Sequence, residues 1–240
     1  DGDVDVSASA GDIEIRNIIA GDDVTVIAAD GGAQLWNLIL TGASDGEGTG
    51  QNVLISASGD AFLGARDEAG IGLYASDLSR TGGAGTISVV SSGGDAGVFL
   101  SSIGSRIDTL TAGGATGTAT IVASTGDIRA GTVTGHNVVL KAADGDVDPD
   151  AVSIGGGDYT LTGRDFLSGA FGFTGTARDI SITDTAGALT LNADMTAQRH
   201  LTINAVGDVL GGRALVAGAD AAGEGDLSIQ ATRIVASAIG

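Results

Sequence analysis

Apolar and polar residues alternate along this chain in short bursts, and each burst opens on a turn former. Gly11-Asp12 leads into Ile13-Glu14-Ile15, Asp22-Asp23 into Val24-Thr25-Val26, and Gly126-Asp127 into Ile128. The unit returns as Arg178-Asp179-Ile180-Ser181-Ile182, as His200-Leu201-Thr202-Ile203 and as Gly225-Asp226-Leu227-Ser228-Ile229. A period of two over a few residues, bounded by turn formers, describes a short strand buried on one face. The same unit repeated throughout a chain describes an array whose units stack.

The pattern predicts strand cores at Val4–Val6, Ile13–Ile15, Val24–Ala28, Gln34–Leu40, Asn52–Ser56, Ala61–Gly64, Ile71–Tyr74, Thr86–Val90, Gly97–Leu100 and Thr109–Thr111. Further cores fall at Thr118–Val122, Asp127–Ala130, Asn137–Lys141, Asp158–Thr162, Ile180–Thr183, Ala188–Asn192, Leu201–Asn204, Asp226–Gln230 and Arg233–Ala236. No stretch carries apolar residues at helical spacing, so essentially no helix is expected. Arg213–Ala222 is the one place where a short helix would fit, and its glycine opposes even that. Paired Asp-Gly hairpin turns are few and the connections vary in length, which disfavours an antiparallel sandwich. The expected fold is all-β, a parallel β-helix in which each strand pairs one coil later. At about 20 residues per coil and ~4.8 Å between stacked strands, the chain would make about a dozen coils and a rod of roughly 55 Å. Thr41–Gly50, Ala142–Gly157 and Gly211–Gly225 break the pattern and are expected to protrude as loops. No Pro/Ser-rich linker divides the chain, so residues 1–240 read as one domain. Both ends stop directly on strand-like pattern, as Asp1-Gly2-Asp3-Val4-Asp5-Val6 and Arg233-Ile234-Val235-Ala236-Ser237-Ala238-Ile239-Gly240. Uncapped coils at both ends imply either a segment of a longer chain or end-to-end self-association.

Composition narrows the architecture. Gly contributes 42 of 240 residues and Pro only 1, without a Gly-X-Y period, which excludes collagen. Hydrophobic residues make up 42% but aromatics only 3%, so the core must be narrow and filled by Val, Ile, Leu and Ala. The net charge of −19 comes from 30 acids against 11 bases. All but four of the acids (Glu14, Glu47, Glu68, Glu224) are Asp, a residue that caps backbone N–H groups in turns. The charge therefore reports turns first. It also excludes nucleic acid as a partner, since phosphate contact needs clustered Lys and Arg, whereas here Lys141 is the sole lysine. Cysteine is absent, which removes disulfides and thiolate chemistry. No apolar run reaches the ~20 residues of a membrane span, so membrane insertion is not expected. The opening Asp1-Gly2-Asp3 lacks the basic and apolar regions of a signal peptide.

Ala10-Gly11-Asp12-Ile13-Glu14-Ile15, Ala20-Gly21-Asp22-Asp23-Val24-Thr25-Val26, Ala177-Arg178-Asp179-Ile180-Ser181-Ile182 and Gln198-Arg199-His200-Leu201-Thr202-Ile203-Asn204-Ala205 resemble the repeats of filamentous haemagglutinin-type exoproteins. The resemblance implies a right-handed parallel β-helix, exported by two-partner secretion and used in adhesion, biofilm formation or toxin delivery. The Asn-Pro signatures of the family's secretion domain are missing, Pro149 being the only proline, so the resemblance is to shaft or distal repeat. It implies an extracellular or cell-surface location in bacteria, a host or neighbouring-cell glycan or protein as partner, and no catalytic residues.

Three constellations are candidates for chemistry. Asp144-Gly145-Asp146-Val147-Asp148-Pro149-Asp150 alternates acids as a calcium loop does, with Asp144, Asp146 and Asp148 as ligands, and Asp1-Gly2-Asp3-Val4-Asp5 repeats its first five residues. Pro149 and Gly155 stand where an EF-type loop needs Gly and Glu, and the opposing reading is a solvated face with Val4 and Val147 inward. A polysaccharide-active β-helical enzyme would place two or three Asp on one coil face with His or Arg beside them. Asp22-Asp23 and His136-Asn137 supply such pieces but lie more than a hundred residues apart, and His136 and His200 each precede a strand as turn residues do. The aromatics Trp36, Phe62, Tyr74, Phe99 and Tyr159 are too scattered for a base-stacking platform. Phe166, Phe171 and Phe173 form the one cluster, either a contact patch or the filling of one widened coil. The sequence thus points to a non-catalytic rod of an exported surface protein. An end-joined filament subunit and a polysaccharide-active enzyme are the alternatives.

Overall fold

The computed structural model describes residues 2–40, 52–66, 73–74, 79–80, 87–102, 106–220 and 224–239. The predicted loop at Thr41–Gly50, the start of the predicted strand at Ile71 and residue Asp1 lie outside them. The alternation folds as expected into parallel sheets stacked in a β-solenoid, with about 9 turns in place of a dozen. One sheet orders Val4–Ala8, Val24–Ala28, Val53–Ala57, Ile87–Ser91, Ile107–Thr111, Ile128–Gly135, Val147–Gly155 and Thr174–Thr176. The second orders Ile13–Ala20, Ala33–Leu40, Ala61–Leu63, Ala96–Ser102, Thr118–Thr125, Asn137–Ala142, Tyr159–Gly163, Ile180–Asp184, Leu201–Asn204 and Leu227–Gln230. Strands of the two sheets alternate along the chain as far as Ile180–Asp184, and each pairs in parallel with the strand of its own sheet one coil later, while Ala65–Arg66 and Leu73–Tyr74 form a separate antiparallel pair.

The registers explain the smaller number of coils. Ile13 pairs with Ala33, a step of 20 residues, and Tyr159 with Ile180 and Ile180 with Leu201, steps of 21. Between these regular coils Ala33 pairs with Ala61 and Ala61 with Ala96, steps of 28 and 35, and Leu201 pairs with Leu227, a step of 26. Insertions between coils consume chain without adding height. Nine steps of ~4.8 Å make the stack roughly 43 Å tall.

Inward residues form ladders of like side chains. Leu35, Leu63, Val98, Ile121, Leu140, Leu161, Ile182 and Ile203 are stacked in register and all fully buried. Stacking like on like keeps the bore narrow enough for aliphatic side chains to close it without aromatics. Toward the C-terminal end the cross-section resolves into three short strands per coil. Ile180–Asp184, Leu189–Thr190 and Met195–Thr196 are followed by Leu201–Asn204, Val209–Leu210 and Ala214–Val216. The predicted strand at Arg233–Ala236 reduces to one bridge, Ile234 to Val209, and the last strand is Ala238–Ile239.

Two expectations are corrected. The stretch Ala142–Gly157 is no protruding loop: it contains Val147–Gly155, a nine-residue strand and the longest among the described residues. Its buried positions are Val147 and Pro149, then Val152 and Ile154, so the period-two pattern slips by one residue at a corner and disappears from the sequence. Proline is tolerated there because it pairs in register with Ala130 of the preceding coil, while the next coil, which its nitrogen faces, offers it no ladder partner. Val147 donates its N–H to Asp165 in the next coil, and Pro149, two residues on, faces the same way. At that level the next coil has left the ladder as a helical turn, Ser168–Phe171, so no acceptor is left unpaired. Gly169 of that turn lies so close on the Pro149 carbonyl that a Cβ would overlap its oxygen. This turn is the only helix among the described residues, and Arg213–Ala222 holds the strand Ala214–Val216 instead of one.

The same coil houses the aromatic cluster. Phe166 and Phe171 are buried with ring centroids 5.7 Å apart, and Tyr159 meets Phe173 edge-on at 5.3 Å. The buried Tyr159 hydroxyl donates to the Ala170 carbonyl at 2.6 Å, and burial pushes the phenol pKa upward. The cluster therefore fills a widened coil, with the helical turn as its plug.

Candidate functional site

The residue that opens each second-sheet strand forms a column along the rod: Asp12, Gly32, Asp60, Asp95, Thr118, Asn137, Asp158, Asp179, His200 and Asp226. Its side chains accept hydrogen bonds from the backbone of the next coil. Asp12 Oδ1 accepts the Gly32 N–H at 2.7 Å, Asp60 Oδ1 that of Asp95 at 2.9 Å, and Asp95 Oδ1 that of Thr118 at 2.8 Å. Asn137 Oδ1 accepts the Asp158 N–H at 2.9 Å, and Asp179 Oδ1 that of His200 at 3.1 Å. Each contact satisfies a turn N–H that the sheet ladder does not use.

Arginines add a second set of ties in the later coils. Arg178 clamps Asp158 with Nε at 2.9 Å and Nη2 at 2.7 Å, while Arg199 makes the corresponding two-point contact to Asp179. Arg164 reaches Asp146 at 3.2 Å, and Arg233 reaches Asp208 at 2.8 Å. The Arg199 contact, helped by the His200 N–H, holds the Asp179 carboxyl below the usual carboxylate range. The same contacts raise the Arg178 and Arg199 guanidinium pKa values further.

These ties take up several residues of the sequence candidates. Asp146 is bound by Arg164 and donates its own N–H to Asp127 Oδ1 at 3.1 Å. Asp148 lies in the strand Val147–Gly155, paired in register with Arg129, and Asp144 sits exposed in the turn before it. Among the described residues no group of three or more His, Asp or Glu is gathered to hold a metal ion, and Asp144, Asp146 and Asp148 do not form one. Asp3 Oδ1 accepts the Asp23 N–H at 3.3 Å, and Asp23 in turn receives the Asn52 N–H at 2.7 Å. Asp23 and His136 lie four coils apart, roughly 20 Å along the rod. The His136 Nδ1 donates to the Gly155 carbonyl at 2.9 Å, whereas His200 Nδ1 accepts the Asp226 N–H at 3.1 Å.

One carboxylate stands outside this scheme. Asp184 is 3% exposed, and its side chain lies near the N–H groups of Ala186 and Val206 without a well-formed hydrogen bond. Desolvation, the larger cause, raises its pKa, and the charge of Asp165 adds to the effect.

An open feature of the described surface is a groove of about 630 Å³ over the first coils of the second sheet. Its floor consists of outward residues stacked in register, Glu14 on Gln34 on Phe62, with Trp36 beside Gln34. Its rim is the turn column at Asp12, Gly31-Gly32 and Gly59-Asp60. The Gln34 Nε2 donates to the Gly64 carbonyl, which fixes the amide. Phe62 is braced by Phe99, with ring centroids 6.1 Å apart. The Trp36 Nε1–H is shielded from water and has no hydrogen-bond partner among the described residues. Sequence reasoning missed this grouping because the 28-residue step from Ala33 to Ala61 hides that Gln34 and Phe62 are neighbours.

No helix among the described residues is long and apolar enough to cross a membrane. Comparison with family models, with curated proteins and with solved structures finds no match for this chain.

Proposed function

We propose that this chain is a non-catalytic shaft of an exported bacterial surface adhesin or exoprotein, similar to filamentous haemagglutinin-type repeats, with its sides displayed to a neighbouring cell surface. The observation that carries the reading is the deployment of the charged residues. Carboxylates that a hydrolase would converge on one face are distributed coil by coil, each tying a turn to the next. Such ties favour a stiff rod, because sliding or bending one coil breaks the contacts of its neighbours. A stiff rod with a lateral groove suits display at a distance from the cell.

Electron microscopy of the purified chain, together with assays for reducing ends released from a panel of polysaccharides, tests this. Isolated rods roughly 43 Å long, from stacking at ~4.8 Å, with no sugar release, are expected. Fibres with an axial repeat near that length would replace the shaft by a filament subunit. Saturable release of reducing ends would replace it by an enzyme.

A further inference from the structure

We propose that the groove at Trp36 and Phe62 binds a neutral oligosaccharide, an uncharged pyranose stacking on the aromatic floor. The proposal rests on the reading of the chain as a displayed rod and names the ligand class of its side.

The aromatic floor departs from the rest of the face. Further along the second sheet the positions in register with Glu14, Gln34 and Phe62 are Gly97, Thr120, Val139, Thr160, Ser181, Thr202 and Ser228. Small residues suffice at the outward position of Phe62, and the column of Trp36 runs on through Val122, Lys141 and Thr162, so neither aromatic is required by the fold. Neither fills the bore: both are half-buried and line the groove. Aromatic faces at the base of a concave site, with a few polar groups around them, match the general make-up of a small-ligand pocket.

The polar groups select among ligands. Glu14, Asp12 and Asp60 surround the floor with carboxylates, which repel uronic acids, sulfated sugars and phosphates. A cation would answer the carboxylates and the aromatic faces. Arg16 stands beside Trp36 in register and opposes a cation there. The ligand must therefore combine an apolar face with hydroxyl donors for the carboxylates and carry no charge. An uncharged pyranose meets these requirements.

Trp36 is the only tryptophan in the chain, so intrinsic fluorescence reads this groove alone. The full chain is titrated with cellohexaose, mannohexaose and chitohexaose, and separately with hexagalacturonate and hexalysine. The expected result is a saturable change in Trp36 emission with at least one neutral hexasaccharide and none with the two charged probes. By calorimetry Trp36→Ala is expected to abolish that binding. Glu14→Gln, at an exposed position that leaves the fold intact, should weaken it about tenfold by removing a charge-assisted hydrogen bond. No emission change with any neutral probe at millimolar concentration would overturn the proposal. So would a response to hexalysine, which would make the groove a site for basic peptides, or sugar binding unchanged in both variants. None of these outcomes alters the rods expected by microscopy, so failure of the sugar site and failure of the shaft reading are separable.

Discussion

Replacing Asp184 by alanine is expected to stabilise the rod at neutral pH, although it deletes a buried side chain. Asp184 pairs with Gly163 one coil back, and the position beyond it in register is Ala205; two coils back on the other side stands Ala142. The column is otherwise built of small residues, so alanine restores its ordinary occupant and leaves little void. The substitution removes a carboxylate that is 3% exposed and lacks a formed hydrogen bond. A buried polar group in that condition costs ~1–3 kcal/mol, more when ionised. The sign of the pH dependence comes from the raised pKa. Between the ordinary Asp value of about 3.9 and the raised folded value, the folded protein holds a proton that the unfolded chain has released, so stability falls as pH rises through that window. The charge's share of the penalty is complete above the folded pKa and absent below the unfolded one. Urea unfolding of wild type, Asp184→Ala and the isosteric Asp184→Asn at pH 7 and near pH 4 measures it. Asp184→Ala should gain at least ~1–3 kcal/mol at pH 7, and Asp184→Asn, which keeps an unpaired polar group, only the share due to the charge, a share that vanishes in both as the acid is protonated. A variant less stable than wild type at pH 7, or a gain equal at both pH values, would refute the account.

Two further outcomes are expected from the same geometry. Asp179→Ala removes the acceptor for the His200 N–H and for Arg199, and should cost ~1 kcal/mol at pH 7. Because the Asp179 pKa is lowered, this loss should fade as pH falls through that lowered value, which chemical unfolding across an acid series detects. Gly175 and Gly187 share a left-handed backbone, φ +90° and +92°, but a Cβ at Gly175 would overlap the Ile154 carbonyl whereas at Gly187 it meets nothing within 4 Å. Gly187→Ala should therefore cost only the ~1–2 kcal/mol of the backbone conformation, and Gly175→Ala distinctly more, as paired unfolding midpoints would report.

The parallel stack was legible because its signal is local. Alternation after a turn former sets which residues face inward, and the units at Ile13, Val24, Ile180 and Leu201 all became strands with those faces buried or half-buried. What escaped depends on register between coils, which no local pattern carries. The corner within Val147–Gly155 shifts the inward phase by one residue, and a strand with a phase slip reads as a loop. The uneven steps at Ala33, Ala61 and Leu201 turned a dozen expected coils into about nine. The abundance of Asp does reflect turn chemistry, as the residue type implies. The partner of each Asp is not legible, because the N–H that its carboxylate accepts belongs to a residue about 20 or more positions away.

That partner also explains how a chain of net charge −19 tolerates in-register stacking. Parallel coils place equivalent residues about one strand spacing apart, so an Asp-bearing turn falls directly on another, as Asp60 on Asp95 and Asp127 on Asp146. Each carboxylate meets the next residue's N–H, whose dipole offsets part of the repulsion. In later coils Arg178 and Arg199 stand where earlier repeats carry Gly, or His136, before the strand-opening residue, and each reaches back to the acid one coil behind. The stacking register is thus held in the turns, leaving outward strand positions free to vary. Along this column Gly32 is the one position with no side chain at all, and the groove opens there, between Asp12 and Asp60. Filling position 32 with Asp would extend the ladder and narrow the groove. The bare turn and the aromatic floor beneath it therefore belong together, as a place where the rod gives up one inter-coil tie and gains an accessible surface.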